Sequence, residues 1–118
     1  MVLPIDRPVN DQLVYARTAS IGATPAAGST AATKRGRIQR AFAFSEGASS
    51  GTITISVAIN GGSPIGSFSF TGGSNAIGSG EISPGTAAEV VEGDLITFTP
   101  SGGSGATIPG HFYAAIRG

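Results

Sequence analysis

"GTITISVAINGG", residues 51–62, places Ile53, Ile55, Val57 and Ile59 on one side of an extended chain and Thr52, Thr54, Ser56 and Ala58 on the other. Strict period two over this length is the pattern of a strand with one dry face. The run closes on Asn60-Gly61-Gly62, residues that accept the positive φ of a tight hairpin, so the chain is expected to turn back here. It resumes as "IGSFSF", 65–70, with Phe68 and Phe70 sharing a face.

Outward from this hairpin the same period recurs. "QLVYART", 12–18, follows an entry punctuated by Pro4 and Pro8, and "IQRAFAFS", 38–45, sets Ile38, Phe42 and Phe44 on one face in core-like alternation, with Gln39, Ala41 and Ala43 on the other. "AIGSGEI", 76–82, leads to a Ser83-Pro84-Gly85 turn; "AAEVV", 87–91, to a Glu92-Gly93-Asp94 turn; then come "LITFT", 95–99, a glycine-rich loop, and "HFYAAIR", 111–117. No window offers the three- and four-residue spacing of a stable helix. About eight strands with turn signals every ten residues or so predict an all-β chain, an antiparallel β-sandwich or jelly-roll-like domain. Its expected core is Ile53, Ile55, Val57, Ile59, Phe68, Phe70, Ile96 and Phe98, with Leu95 replacing the last two if that strand has the opposite parity.

Residues 19–36, "ASIGATPAAGSTAATKRG", break the pattern, because Ile21 is their one large apolar side chain. Such a segment buries too little surface to offset the entropy of ordering itself, which reads either as a surface loop or as an arm that orders against another protein. The expected organisation is therefore an extended N-terminal segment with a Gly/Ala/Thr-rich arm over 1–36 and a β-sandwich domain over 37–118.

The 118 residues suit one domain, although Gly, Pro, Ser and Gln make up about 36% of them. Alternating Ile, Val and Phe and a net charge of zero argue for order despite that composition. The absence of cysteine excludes a disulfide framework and a thiolate metal site. The start, "MVLPIDRPVNDQ", lacks the pattern of a cleavable signal, and no apolar run approaches the roughly 18 residues of a membrane span, so no membrane partner is expected. Charge is nevertheless polarised, with +4 over residues 1–40 and −4 over 41–118. A basic front can meet an acidic surface, including that of a second copy.

Candidate chemistry is sparse. His111 is the one histidine and stands without triad partners in the sequence, which favours a surface or loop-packing role. No Ser lies in G-x-S-x-G. Glu89, Glu92 and Asp94 lack the ligand density of a Ca²⁺ loop, and Asp94 is read as stabilising the turn at Gly93; neither a metal nor any other cofactor is expected. "KRGRIQR", 34–40, is the strongest charged feature, but a neutral domain with its Phe residues in core-like positions is not the profile of a nucleic-acid binder. Lys34, Arg35, Arg37 and Arg40 are therefore the candidate partner-binding residues, making ionic contacts to an acidic protein surface.

The succession "SVAINGG", "GEISPGTAAEVVEGDLITFTPSGGSG" and "HFYAAIRG" resembles small virion proteins of tailed phages, in particular capsid decoration or cement proteins, through strand order and turn placement over residues 41–118. The resemblance implies a non-enzymatic structural protein, often trimeric, made in the host cytoplasm and seated on the outer surface of the head, where it binds the major capsid protein across adjacent subunits. Domains of phage fibres share the phrasing, which makes a carbohydrate- or receptor-binding fibre module the alternative. The two readings separate on one feature: sugar recognition needs exposed planar aromatics, and only Tyr15 and Tyr113 could serve.

Overall fold

The computed structural model describes residues 11–48, 51–71, 75–82, 88–105 and 107–117, and these contain nine strands and no α-helix. The Pro4 and Pro8 entry and the Ser83-Pro84-Gly85 turn lie outside the described residues. The strands are β1 (Asp11–Thr18), β2 (Gly28–Ala31), β3 (Gly36–Ser45), β4 (Thr52–Ile59), β5 (Pro64–Thr71), β6 (Ile77–Glu81), β7 (Glu89–Val90), β8 (Leu95–Ser101) and β9 (Gly110–Arg117).

The opening hairpin forms as its sequence demands. Asn60 and Gly61 take φ of 53° and 74°, and the Gly62 amide donates to the Ile59 carbonyl at 3.0 Å. From that turn the antiparallel pairs nest outward: β4 with β5, β3 with β6, β2 with β8 and β1 with β9. Lateral pairing of β9 with β3 and of β8 with β4 joins them into two sheets, β1-β9-β3-β6 with β7 beside β3, and β2-β8-β4-β5. Two sheets built from nested pairs make a jelly-roll β-sandwich.

The second sheet follows the alternation. Ile53, Ile55, Val57, Ile96 and Phe98 are buried completely and Phe68 nearly so, Ile59 and Phe70 pack against them, and Leu95 faces solvent. The first sheet does not follow it. β3 pairs Ile38 with Ile116 but Arg40 with Ala115, so Gln39 is an extra residue and the register shifts there. A β-bulge of this kind reverses the parity of everything beyond it. Ala41 and Ala43 consequently point into the core beside Ala114, and Phe42 and Phe44 point outward, which corrects the expectation that both rings share the face of Ile38. The small alanines leave the interior to Phe112 of the first sheet and Phe98 of the second, whose rings stack 5.0 Å apart. At the opposite edge β6 presents Gly78 and Gly80 to Phe70 and Phe68; a Cβ on Gly80 would lie 2.5 Å from Phe68 Cβ.

Residues 19–36 are also corrected, because they are built into the sandwich. β2 forms an edge of the second sheet, and Ile21 is fully buried, its amide donating to the Ile108 carbonyl at 2.7 Å. Thr18 and Ser20, both buried, hydrogen-bond to carbonyls of Ala26 and Ala23, and the Ala32 amide donates to the Asp94 carbonyl at 2.8 Å. Backbone pairing and one deep anchor supply what apolar side chains do not. Strands on both sides of position 36 therefore share the two sheets.

The bulge makes a contrast testable. Ile55→Ala, in the dry core, is expected to cost about 3 kcal/mol, while Phe44→Ala, on the outer face, costs less than about 2 kcal/mol despite removing a larger side chain. Denaturant titration of the two variants measures both values, and a larger loss for Phe44→Ala would contradict the outward placement.

Candidate functional site

Because the bulge turns Phe42 and Phe44 outward, they join Tyr113 and His111, their partners in register on β9. β1 adds Tyr15, directly opposite Tyr113. The Tyr15 ring lies 5.1 Å from that of Tyr113 and stacks on His111 at 5.6 Å, and the Phe44 ring lies 5.9 Å from His111. Leu13, 62% exposed, and Ile77, 71% exposed, flank a shallow apolar groove of about 380 Å³ with Phe42, Phe44 and Tyr113. Five ring-bearing side chains from three adjacent strands thus form one open surface.

Polar groups fix its geometry. The Tyr15 hydroxyl donates to His111 Nδ1, and His111 Nε2 donates to Glu46 Oε2 at 2.5 Å, an assignment that leaves each imidazole nitrogen one partner. His111 is well shielded, with 18% of its side chain exposed, whereas Tyr15 remains 44% exposed. The chain Glu46–His111–Tyr15 holds the Tyr15 ring against β9. It carries no serine or cysteine nucleophile, and its arrangement suits orientation of rings rather than group transfer.

Beyond Ala115 the same outer face carries charged side chains of both signs. Arg37 and Arg117 are partners in register, and with Arg35, Gly36, Gln39, Glu89, Val90, Val91 and Asp94 they line an open cleft of about 730 Å³. The four candidate partner-binding residues do not act as one patch. Arg35 and Arg37 belong to this cleft; Arg40 turns aside, 3.7 Å from Glu81 and 5.5 Å above the Phe42 ring; Lys34 is half-buried before β3. Sequence reasoning found Tyr15 and Tyr113 but missed Phe42, Phe44 and His111 as members of the surface. A signal was present: unbroken alternation from Ile38 would carry Arg40 to the inner face, which a guanidinium without a partner does not tolerate.

Fold comparisons agree with the architecture. The chain is similar to CsCBM6-3 from Clostridium stercorarium, solved in complex with cellobiose, at TM-score 0.53 and 15% identity over 81% of this chain and 70% of that one. It is likewise similar to the carbohydrate-binding module CBM36, solved with calcium and xylotriose, at TM-score 0.53 and 16% identity over 80% of this chain and 76% of that one. At such identity the likeness establishes a shared β-sandwich fold. No protein-family profile matches the chain, and no curated protein matches its sequence.

The acidic end of the cleft is structural. Asp94 accepts the Val91 amide at 2.9 Å and an Asn60 side-chain N–H at 3.2 Å, while Asn60 Oδ1 accepts the Leu95 amide at 2.8 Å, tying two turns together. These bonds, the Val91 amide first, hold the Asp94 carboxyl below its ordinary value of 3.8. A depressed carboxylate stabilises the fold above its unfolded value and loses that contribution as pH falls through the folded value. Asp94→Asn is therefore expected to lower the melting temperature at neutral pH, with the gap to the parent closing as pH falls below the ordinary carboxylate value. Thermal melts across that range check it; a constant gap would contradict the role.

Proposed function

We propose that the chain is a non-catalytic carbohydrate-binding module that stacks a glycan on the outer face of the β1-β9-β3-β6 sheet. The observation that carries this reading is the side-by-side placement of Tyr15 and Tyr113 with Phe42 and Phe44 on an uncovered sheet face. A sugar ring has an apolar C–H face and a polar rim. Flat rings bury the first, and the Tyr15 and Tyr113 hydroxyls and the Glu46 carboxylate are placed to hydrogen-bond the second. An exposed apolar surface rimmed by polar groups is itself a mark of a binding site.

The fold neighbours support the reading, since both are carbohydrate-binding modules solved with oligosaccharides. Our reading places the module on a virion fibre, in line with the resemblance of residues 41–118 to phage virion proteins. Residues 19–36 belong to the sandwich, so this reading assigns them no role as a free arm.

Isothermal titration of the protein with soluble gluco- and xylo-oligosaccharides tests the proposal. Binding is expected for the parent, and Tyr113→Ala is expected to weaken it by about tenfold or more, about 1.4 kcal/mol, with the circular dichroism spectrum unchanged. Failure of the parent to bind any glycan on a broad array, or undiminished binding by Tyr113→Ala, would sink it.

A further inference from the structure

The register sets out the outer face of the first sheet in rows across β1, β9, β3 and β6. One row runs Arg17–His111–Phe44–Ile77 and the next Tyr15–Tyr113–Phe42–Ser79. Hydrogen-bonding groups gather where the Tyr15 hydroxyl, the His111 imidazole and the Glu46 carboxylate meet. The groove flanked by Leu13 and Ile77 is different in kind. Of the side chains that line it, Tyr113 alone carries a polar atom; the others are aliphatic or phenyl. Its floor adds no backbone partner, because β9 and β3 are paired on both sides and their N–H and C=O groups are engaged in the ladders. A bare sugar, with a hydroxyl on nearly every carbon, finds nothing to bond there, whereas a hydrocarbon chain needs no such partner. Leu13 and Ile77 are also largely exposed aliphatics, which a flat stacking surface does not require.

From these observations, and resting on the glycan reading above, we propose that the ligand is a glycan bearing an alkyl or acyl chain. Its sugar stacks on Tyr15 and Tyr113, and its chain lies in the groove. Tyr113 joins the two halves, since its ring lines the groove and lies 5.1 Å from that of Tyr15. From Leu13 on β1 to Ile77 on β6 the groove crosses three interstrand gaps, about 14 Å, a span that suits one chain of medium length. Each methylene taken out of water against Phe42, Phe44 and the two aliphatic flanks adds affinity without any directional contact. The polar end fixes the sugar by hydrogen bonds and the apolar end holds the chain by burial, so the two parts of such a ligand match the two parts of the face.

The test is calorimetry of the full chain with octyl β-cellobioside, held below its micelle concentration, and with methyl β-cellobioside, which has the same sugar and no chain. The octyl compound is expected to bind about tenfold more tightly or better. Leu13→Ser and Ile77→Ser, both at exposed positions outside the core, should each reduce the octyl-to-methyl ratio by about threefold, with the circular dichroism spectrum unchanged. Octyl tetraethylene glycol keeps the chain and drops the sugar, and it is expected to bind about tenfold more weakly than octyl β-cellobioside. Equal binding of these two octyl compounds overturns the combined ligand in favour of a purely apolar partner. An octyl-to-methyl ratio near one in a monomeric protein overturns the groove assignment, and the array above then decides the glycan reading on its own. The same ratio in a protein that sediments as a dimer overturns it in favour of a second copy covering the groove.

Discussion

Gln39 is one residue more than β9 can pair, and the orientation of every later side chain in β3 follows from that insertion. A strand has two faces and no intermediate setting, so a single extra residue exchanges them completely. Before the bulge Ile38 faces the core opposite Ile116; after it, Ala41 and Ala43 take the inner positions, and Phe42 and Phe44 meet solvent. The aromatic surface, the side position of Arg40 and the volume left for Phe112 all depend on this one local irregularity.

The core tolerates two outward phenylalanines because other residues fill it. Phe98 and Phe112 stack across the sandwich, one from each sheet, over a floor of alanines, while Ile53, Ile55, Val57 and Ile96 supply the second sheet's inner face. Large side chains oppose small ones, which is how two sheets reach interior packing density without strained rotamers. Where the sheets close along β5 and β6, glycines in β6 do the same for Phe68 and Phe70.

Leaving rings on a solvent-facing sheet forgoes the stabilisation that burying them would bring, and a fold driven by burial alone would not spend aromatic residues there. The register of β1, β9 and β3 gathers them from positions far apart in the chain: Tyr15 meets Tyr113, Phe42 meets Tyr113, and Phe44 meets His111. The same register sets Arg37 against Arg117 at the other end of the face. Among the described residues, one sheet face thus carries rings along half its length and the Arg37–Arg117 pair beyond them. His111, itself hydrogen-bonded to Glu46, keeps the Tyr15 ring in place, so the fold itself organises the aromatic half.

Strand identity was legible in the residues themselves. Alternation in "TITISVAI" and the Asn60-Gly61 turn follow from local stereochemistry, which acts over two to four residues and needs no knowledge of the rest of the chain, whereas the parity of Ile96 and Phe98 against Leu95 was settled by the sandwich. The use of Asp94 in its turn was legible for the same reason. Two things were not. The place of residues 19–36 depends on hydrogen bonds to Ile108 and Asp94 and on β2 pairing with β8, partners that no composition argument can see across so many intervening residues. The facing of Phe42 and Phe44 depends on how β3 aligns with β9, because a bulge is a mismatch between two strands and exists in neither sequence alone. Tertiary structure therefore decided which face carries the rings: local alternation can give the period of a strand, but only pairing with a neighbour tells which of its two faces is turned to water.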